Sequence, residues 1–348
     1  MATIFDYVTA KEIAAYWIEG ASNRIPYLGA TLFPGKKQLG LELSWLKGSK
    51  GLPVSLKPSA FDTKPTLRDR IGFDRLVTEM PFFREAMMIT EKDRQNLNNV
   101  IASGNEKAIE MIVRNIYDDA AGLIDSAEVV FERMRMQLLS TGKIAITENG
   151  NALDYDYQFD SDHLETLENT AMWSDPDDST PIQDIIDWAT TIEDDTGVRP
   201  TRAICSRATF QYLLSNTKEI QTHITNLKLL PTEANVRRVI EEFTQVQIAV
   251  YSKKYKNAAG SAAQFFPDNV FTLFPVGTLG SSVFGTTPEE SDLMTSANAD
   301  VQIVNTGVAL TSLKKVEIPV NVETVVSMIG LPSFEGIDTV FIATVHTD

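Results

Sequence analysis

The sequence is poor in the residues that most catalytic and metal sites need. One cysteine, Cys205, and three histidines, His163, His223 and His346, occur in 348 residues. A single cysteine excludes an intrachain disulfide and a cysteine-based zinc site, and it favours a reducing compartment. Motifs for nucleotide binding, zinc proteases and serine hydrolases are absent as well. We therefore predict no catalytic residue, no cofactor and no metal site.

Long apolar runs are also missing. No stretch approaches the roughly 20 residues of a membrane span. The N-terminal MATIFDYVTAKE lacks the basic start and apolar run of a signal peptide. We expect a protein that is made and folded in the cytoplasm, with no membrane partner.

Charge is distributed unevenly along the chain. The formal net charge is −16, and residues 154–195 hold 14 acidic residues but no lysine or arginine. Residues 36–75 have the opposite bias, with nine basic and four acidic residues. The overall acidity argues against a dedicated nucleic-acid binder, which needs a basic face. The SDPDDST stretch lacks the spacing of a calcium loop, and we interpret it as a solvated acidic face, leaving cation binding open.

The N-terminal third predicts a short helix followed by an extended arm. Thr9 and Glu12 form a capping box for a helix over 9–19, which Gly20 should stop. Residues 24–80 are rich in glycine and proline and contain short alternating stretches. Such an arm cannot bury its apolar side chains on itself, so a neighbouring copy is the simplest supplier of a surface. Docking on another subunit is favoured over binding of nucleic acid.

The strongest periodic signal is a long helix over 104–141, with Ser103 and Glu106 as its capping box. Its apolar residues keep a 3.6-residue period until Gly142: Ile109, Ile112, Val113, Ile116, Ala120, Leu123, Ala127, Val130, Phe131, Met134 and Leu138. At 1.5 Å per residue the helix is roughly 50 Å long, so it should support other elements. We expect Ile116 and Leu123 to be buried against a sheet.

The remainder predicts a mixture of helices and strands. An Asn-Gly turn indicates a strand pair over 143–160, and Thr180-Pro181 begins a helix. The further elements are a strand at 201–205, helices at 207–215 and 233–243, a strand at 246–251, and strands near the C-terminus. The order indicates an α+β fold with an inserted domain.

Several stretches resemble the major capsid protein E family typified by phage lambda. The order of these stretches matches over nearly the whole chain, although none is chemically diagnostic. They are LKPSAFDTKPTLRDRIGF, TEMPFFREAMMITEKDRQNL, MRMQLLSTGKIAI, WSDPDDSTPIQDIIDWA, ICSRATFQYLL and FFPDNVFTLFPVGTLGSSVFG.

The resemblance implies the Hong Kong 97-type phage capsid fold. Its parts would be an N-terminal arm at 1–32, an E-loop at 33–80, the first part of a P-domain at 81–180 with the spine helix at 104–141, an A-domain at 181–315, and P-domain return strands at 316–348.

The implied function is a structural one and not that of an enzyme. The chain would assemble as hexamers and pentamers into the icosahedral head of a tailed phage in the bacterial cytoplasm, and would remain in the virion. Implied partners are other copies, a separate scaffolding protein, a portal protein, a candidate decoration protein, and packaged double-stranded DNA without sequence-specific contact. An acidic wall suits this role, because tight DNA binding would impede packaging.

In the implied fold the E-loop lies across a neighbouring subunit, so opposite charges can meet between chains. The candidate intersubunit contacts are Leu41, Leu43, Trp45, Lys47, Lys50, Lys57, Arg68 and Arg70. The alternatives are an encapsulin-like nanocompartment shell, a hydrolase with an unrecognised site, and a tail or adhesin component.

Overall fold

The long apolar repeat forms one continuous helix of 36 residues in the computed structural model. The structure describes residues 8–21, 26–47, 74–148, 150–296, 298–315 and 321–347. Its helices are α1 (Ala10–Ala21), α2 (Leu28–Leu32), α3 (Glu91–Ser103), α4 (Glu106–Thr141), α5 (Pro181–Thr196), α6 (Arg207–Ser215), α7 (Thr222–Asn226) and α8 (Glu233–Thr244). Its strands are β1 (Gly35–Lys37), β2 (Glu42–Lys47), β3 (Asp74–Glu79), β4 (Phe82–Ile89), β5 (Lys143–Glu148), β6 (Asn151–Asp156), β7 (Leu164–Thr166), β8 (Arg202–Cys205), β9 (Gln247–Val250), β10 (Lys254–Lys256), β11 (Ala262–Gln264), β12 (Val270–Phe274), β13 (Ser281–Phe284), β14 (Ala299–Val304), β15 (Val308–Lys315), β16 (Asn321–Ser333) and β17 (Phe341–Thr344).

Helix α1 begins where the sequence predicts but ends later. The Thr9 hydroxyl accepts a hydrogen bond from the backbone N–H of Glu12 at 3.2 Å, which confirms the predicted cap. The predicted stop at Gly20 is wrong, because the helix continues to Ala21. Ile13 is fully buried where α1 packs on strands β14 and β15.

The predicted start of the long helix is displaced by a second helix that the sequence reading missed. Ser103 ends α3 and does not cap α4, because Gly104 takes a left-handed conformation with φ of 69°. The side chain of Asn105 instead accepts the N–H of Ala108 at 3.3 Å. Helix α4 passes through Gly122 without interruption, and nothing lies within 4 Å of a Cβ placed there.

The chain folds into two compact units. The first contains the described residues of Met1–Ser44, Val77–Glu132 and Ser281–Ser333, and the second contains those of Trp45–Leu76, Arg133–Gly280 and Phe334–Asp348. The span 181–315 expected for the A-domain does not coincide with either unit. Residues 281–315 fold with the first unit because β13 and β15 pair directly with β16, and β14 pairs with β15.

The first unit is organised around strand β16. Its sheet has the order β1-β13-β16-β15-β14. Strand β4 also belongs to this sheet, and every residue of β4 pairs with a residue of β16. The Phe131 ring of α4 lies 4.5 Å from the Phe284 ring, measured between centroids. A Cβ at Gly330 would lie 2.6 Å from the Phe131 ring edge, so glycine permits this close packing of helix on strand.

The second unit has its own sheet and core. The sheet order is β7-β17-β12-β8-β9, with parallel pairs at both ends and antiparallel pairs in the middle. Trp173, Trp188 and Phe271 form an aromatic cluster at its centre, with the two indoles stacked at 5.7 Å. The predicted helices and strands between 181 and 251 are confirmed by α5, α6, α8, β8 and β9, and the predicted strand pair is β5 and β6.

Candidate assembly surfaces

A short turn between β1 and β2 presents two leucines to solvent. Leu39 is 86% exposed and Leu41 is 50% exposed. Between them Gly40 has a φ of 95°, which a glycine adopts readily. Backbone hydrogen bonds of 2.8 Å hold both ends, from the Gln38 N–H to the Phe284 carbonyl and from the Met80 N–H to the Leu41 carbonyl. Residues 38–41, which we call the leucine turn, are therefore a fixed apolar projection.

The predicted intersubunit residues fall into three groups. Leu41 lies on the leucine turn, whereas Leu43 is 1% exposed and packs in the core of its own unit. Leu41 belongs to the turn that precedes β2, whereas Leu43 lies within that strand and its side chain is buried. Trp45 and Lys47 belong to β2, but their side chains lie outside the described residues. The positions outside the described residues altogether are Lys50, Lys57, Arg68 and Arg70.

Strand β4 forms an edge of the first unit and carries exposed apolar side chains. Phe82, Met87 and Met88 are 43%, 41% and 54% exposed. Among the described residues, no strand pairs with the edge of β4 that faces away from β16. An unprotected apolar edge of this kind is a ready contact surface for another chain.

A groove of about 370 Å³ lies beside the C-terminal end of this strand. It runs between β4, α3 and α4, entirely within the first unit. Ile116, expected in the core, is only half-buried in the wall of this groove, while Leu123 is 8% exposed as predicted. The lining residues are Met87, Met88, Ile89, Asp93, Asn96, Ile112, Asn115, Ile116, Asp119, Ala120 and Thr324. We call it the β4–α4 groove.

A second groove, of about 630 Å³, lies between α1 and α4, and several of its lining side chains are hydrogen-bonded to one another. Trp17 donates its indole N–H to Asp125 at 2.8 Å, and Tyr16 donates its hydroxyl to Asp118. The Tyr117 hydroxyl donates to Glu12 at 2.9 Å. These bonds fasten the first helix to the long helix.

The acidic block predicted for residues 154–195 is largely exposed in the second unit. Asp162, Asp187 and Asp194 are exposed. In the SDPDDST stretch, Asp175 accepts the backbone N–H groups of Asp177 and Asp178, each at 3.1 Å, so this carboxylate stabilises its own loop. Within the described ranges, no group of three or more potential metal-ligating side chains is assembled.

One carboxylate of this block is partly buried. Asp184 accepts the indole N–H of Trp173 at 2.8 Å. Burial raises the pKa of Asp184 to about 6, the Trp173 hydrogen bond opposes that rise, and the nearby charges of Glu219 and Glu165 add to it. The folded state therefore binds the proton of Asp184 more tightly than the unfolded chain does.

We expect Asp184→Asn to stabilise the protein at pH 8 and to lose this effect in acid. The raised folded-state pKa means that protonated Asp184 adds stability below about pH 4, and that this stability is lost as the pH rises through about 6. Two pKa units correspond to about 3 kcal/mol, and partial exposure of the group reduces the expected gain to about 1–2 kcal/mol. Denaturation of both proteins between pH 4 and 8 checks this. A difference that stayed constant with pH would contradict the assignment.

The family model of phage major capsid protein E matches residues 9–345. The chain belongs to the phage major capsid protein E family. In structure it is similar to a protein assigned as the capsid protein of an Escherichia coli CFT073 prophage, with a TM-score of 0.61 and 14% identity over 97% of this chain and 99% of that one. Chains from the capsids of cyanophages A-1(L) and P-SCSP1u each give a TM-score of 0.51 at 10% identity. They cover 93% and 92% of this chain and 93% and 88% of their own. No curated protein matches the sequence.

These similarities show the Hong Kong 97-type capsid fold, as predicted, and the family makes the protein a capsid shell component of the phage virion. The encapsulin-like alternative is not favoured by the family. Among the described helices, none has the length and apolarity to cross a bilayer.

The cysteine and two of the histidines of this capsid protein are buried or packed against neighbouring side chains. Cys205 is fully buried, and burial raises the pKa of its thiol to about 12, which keeps it protonated and unreactive. His163 is buried, with its Nε2 3.0 Å from an Asp195 carboxylate oxygen. His223 packs against Phe243 with the ring centroids 4.3 Å apart.

Sequence reasoning missed the methionines of β4 as a candidate surface of the capsid protein. The run PFFREAMMI has apolar residues on both faces of a strand, and such a run is typical of a strand buried on both sides. Only the pairing with β16 shows that it is an exposed edge.

Proposed function

We propose that this protein assembles as hexamers and pentamers into an icosahedral head that encloses double-stranded DNA, with a separate scaffolding protein and a portal as partners and no catalytic activity of its own. The observation that carries the proposal is the exposed apolar surface of the first unit, at the leucine turn and along β4. A chain that belongs to a capsid family needs such surfaces to bind its neighbours. Assembly would take place in the host cytoplasm.

In this proposal the domain division follows the family fold. The N-terminal arm is residues 1–32, the E-loop 33–80, and the P-domain begins at 81 with its spine helix over 104–141. The A-domain is residues 181–315, of which 181–280 lie in the second unit and 281–315 in the first. Residues 281–315, with the return strands after 316, extend the sheet of the first unit, which is supported by the pairing of β13 and β15 with β16.

The basic E-loop of one copy would dock on acidic surface of the next. Many basic side chains of the described residues already pair within the chain, for example Lys37 with Glu290 and Lys143 with Asp156. The block 36–75 carries nine basic residues against four acidic ones, which leaves positive charge available for a neighbour. Exposed carboxylates of the block 154–195 are suitable partners. The same acidity suits a wall that does not hold DNA by specific contacts.

Co-expression with the neighbouring scaffolding gene tests assembly. We expect closed particles that sediment far faster than a monomer, and capsomers, tubes or irregular shells from the protein alone. The physical reason is burial of the exposed apolar surface between copies. Analytical ultracentrifugation of both preparations is the measurement. A chain that remained monomeric at high concentration with scaffold present would overturn the proposal.

A further inference from the structure

The leucine turn and the β4–α4 groove lie at opposite ends of one strand. The turn is joined to the N-terminal end of β4 through the Met80–Leu41 backbone hydrogen bond. The groove includes Met87, Met88 and Ile89, the last residues of the same strand. Seven residue steps at about 3.3 Å separate Phe82 from Ile89, so the two features are about 23 Å apart. The turn is therefore unable to fill the groove of its own chain.

The two features are complementary in chemistry. The turn offers two exposed leucines beside Lys36, which is also exposed. The groove offers apolar walls from strand and helix, with exposed Asp93 and Asp119 at its rim. Burial of the leucine side chains favours association, and the rim carboxylates suit an approaching lysine.

The turn is also preorganised for docking. Gln38 donates its side-chain amide to the Glu42 carbonyl at 2.8 Å, across the turn. A Cβ at Gly285 would lie 2.8 Å from the Gly40 carbonyl oxygen, so the turn sits closely on the segment after β13. A rigid projection loses little conformational entropy when it binds.

We propose that the leucine turn of one copy docks in the β4–α4 groove of the next copy. This inference rests on the proposed function, since it names one of the contacts by which the shell forms. Two different surfaces meet, so the contact is heterologous, and its repetition closes a ring when the rotation between copies allows. One contact type of this kind would serve five-fold and six-fold rings alike.

Engineered cysteines test this geometry, because the natural Cys205 is fully buried. In assembled particles, a mixture of Leu39→Cys and Met87→Cys chains should give disulfide-linked dimers on oxidation. A chain that carries both substitutions should give a ladder of linked oligomers ending at closed rings. Bond formation requires Cα atoms within about 7 Å, so it reports direct docking. The matched control replaces Met87→Cys with Leu230→Cys, which is 74% exposed in the second unit and should not link to position 39.

Charged substitutions give a second, independent measurement. Leu39→Asp with Leu41→Asp makes the surface of the leucine turn charged, so the turn should no longer dock. Met87→Asp with Met88→Asp makes the wall of the β4–α4 groove charged, so the groove should no longer accept a turn. All four side chains are at least 41% exposed, so melting temperatures should change little. Each variant alone should stay smaller than a ring, while the mixture should stop at dimers, because it contains one intact turn and one intact groove.

The outcomes separate this inference from the proposed function. If wild-type particles form but positions 39 and 87 do not cross-link, or position 39 links mainly to itself, the docking proposal is overturned and the shell function stands. Charged variants that assemble like wild type would overturn it as well. Wild-type protein that never assembles would instead overturn the proposed function.

Discussion

Reversing three charges of the proposed E-loop, with Lys50→Glu, Lys57→Glu and Arg68→Glu, is expected to slow assembly by at least about tenfold while leaving the monomer folded. One exposed ion pair contributes about 0–1 kcal/mol, so a single reversal should have little effect. Three pairs changed from attraction to repulsion amount to about 1.5 kcal/mol or more per contact, and about 1.4 kcal/mol is a factor of ten. Light scattering after addition of scaffold measures the rate.

A matched control separates position from net charge. Lys92→Glu, Lys107→Glu and Lys256→Glu change the charge equally, at exposed positions outside the E-loop. These variants should assemble at nearly the wild-type rate. Asp187→Lys with Asp194→Lys should partly restore the E-loop variant. Wild-type assembly should also slow as ionic strength rises, because salt screens exposed charges. If neither the charge reversal nor salt changed the assembly rate, the electrostatic account would be contradicted. Burial of apolar side chains would then be the main source of docking between copies.

The second large effect is expected in the core of the first unit, where Phe131→Ala should lower the free energy of unfolding by about 3–5 kcal/mol. Phe131 is 2% exposed, contacts Phe284 and fills the space beside Gly330, so truncation leaves a cavity between helix α4 and the sheet. Denaturant unfolding followed by tryptophan fluorescence and circular dichroism is the measurement.

Ile116→Ala is the matched control on the same helix. Its side chain is half-buried at the β4–α4 groove, so its truncation should cost clearly less than that of Phe131. Leu123 is 8% exposed, so Leu123→Ala should lower the free energy of unfolding by an amount between those of the other two variants or close to that of Phe131→Ala. Equal losses at Ile116 and Phe131 would mean that the groove is closed in the isolated protein.

Local signals in the sequence predicted the elements of the fold well. The 3.6-residue repeat predicted the long helix, the Asn-Gly pair predicted the hairpin of β5 and β6, and the Thr-Pro pair predicted the start of α5. The predicted start of the long helix was wrong because more than one nearby residue was able to end or cap a helix. Glycine at 104 adopts the left-handed conformation that ends α3, and this left Asn105 to cap the long helix.

The division into units and the exposed surfaces could not be read from local patterns. Strands β13 and β16 are far apart in the chain, so their pairing depends on tertiary contacts. The same contacts decide that Leu43 is buried while Leu41 is exposed, and that the methionines of β4 lie at an edge. The charge blocks, in contrast, were visible in composition alone, since they need no knowledge of pairing.

Negative-stain electron microscopy of particles from co-expression with the scaffolding gene observes the shell itself. We predict closed icosahedral shells whose walls are built from six-fold and five-fold clusters of this chain. Monomers, or open fibres and tubes with scaffold present, would contradict assembly of this protein into a phage head.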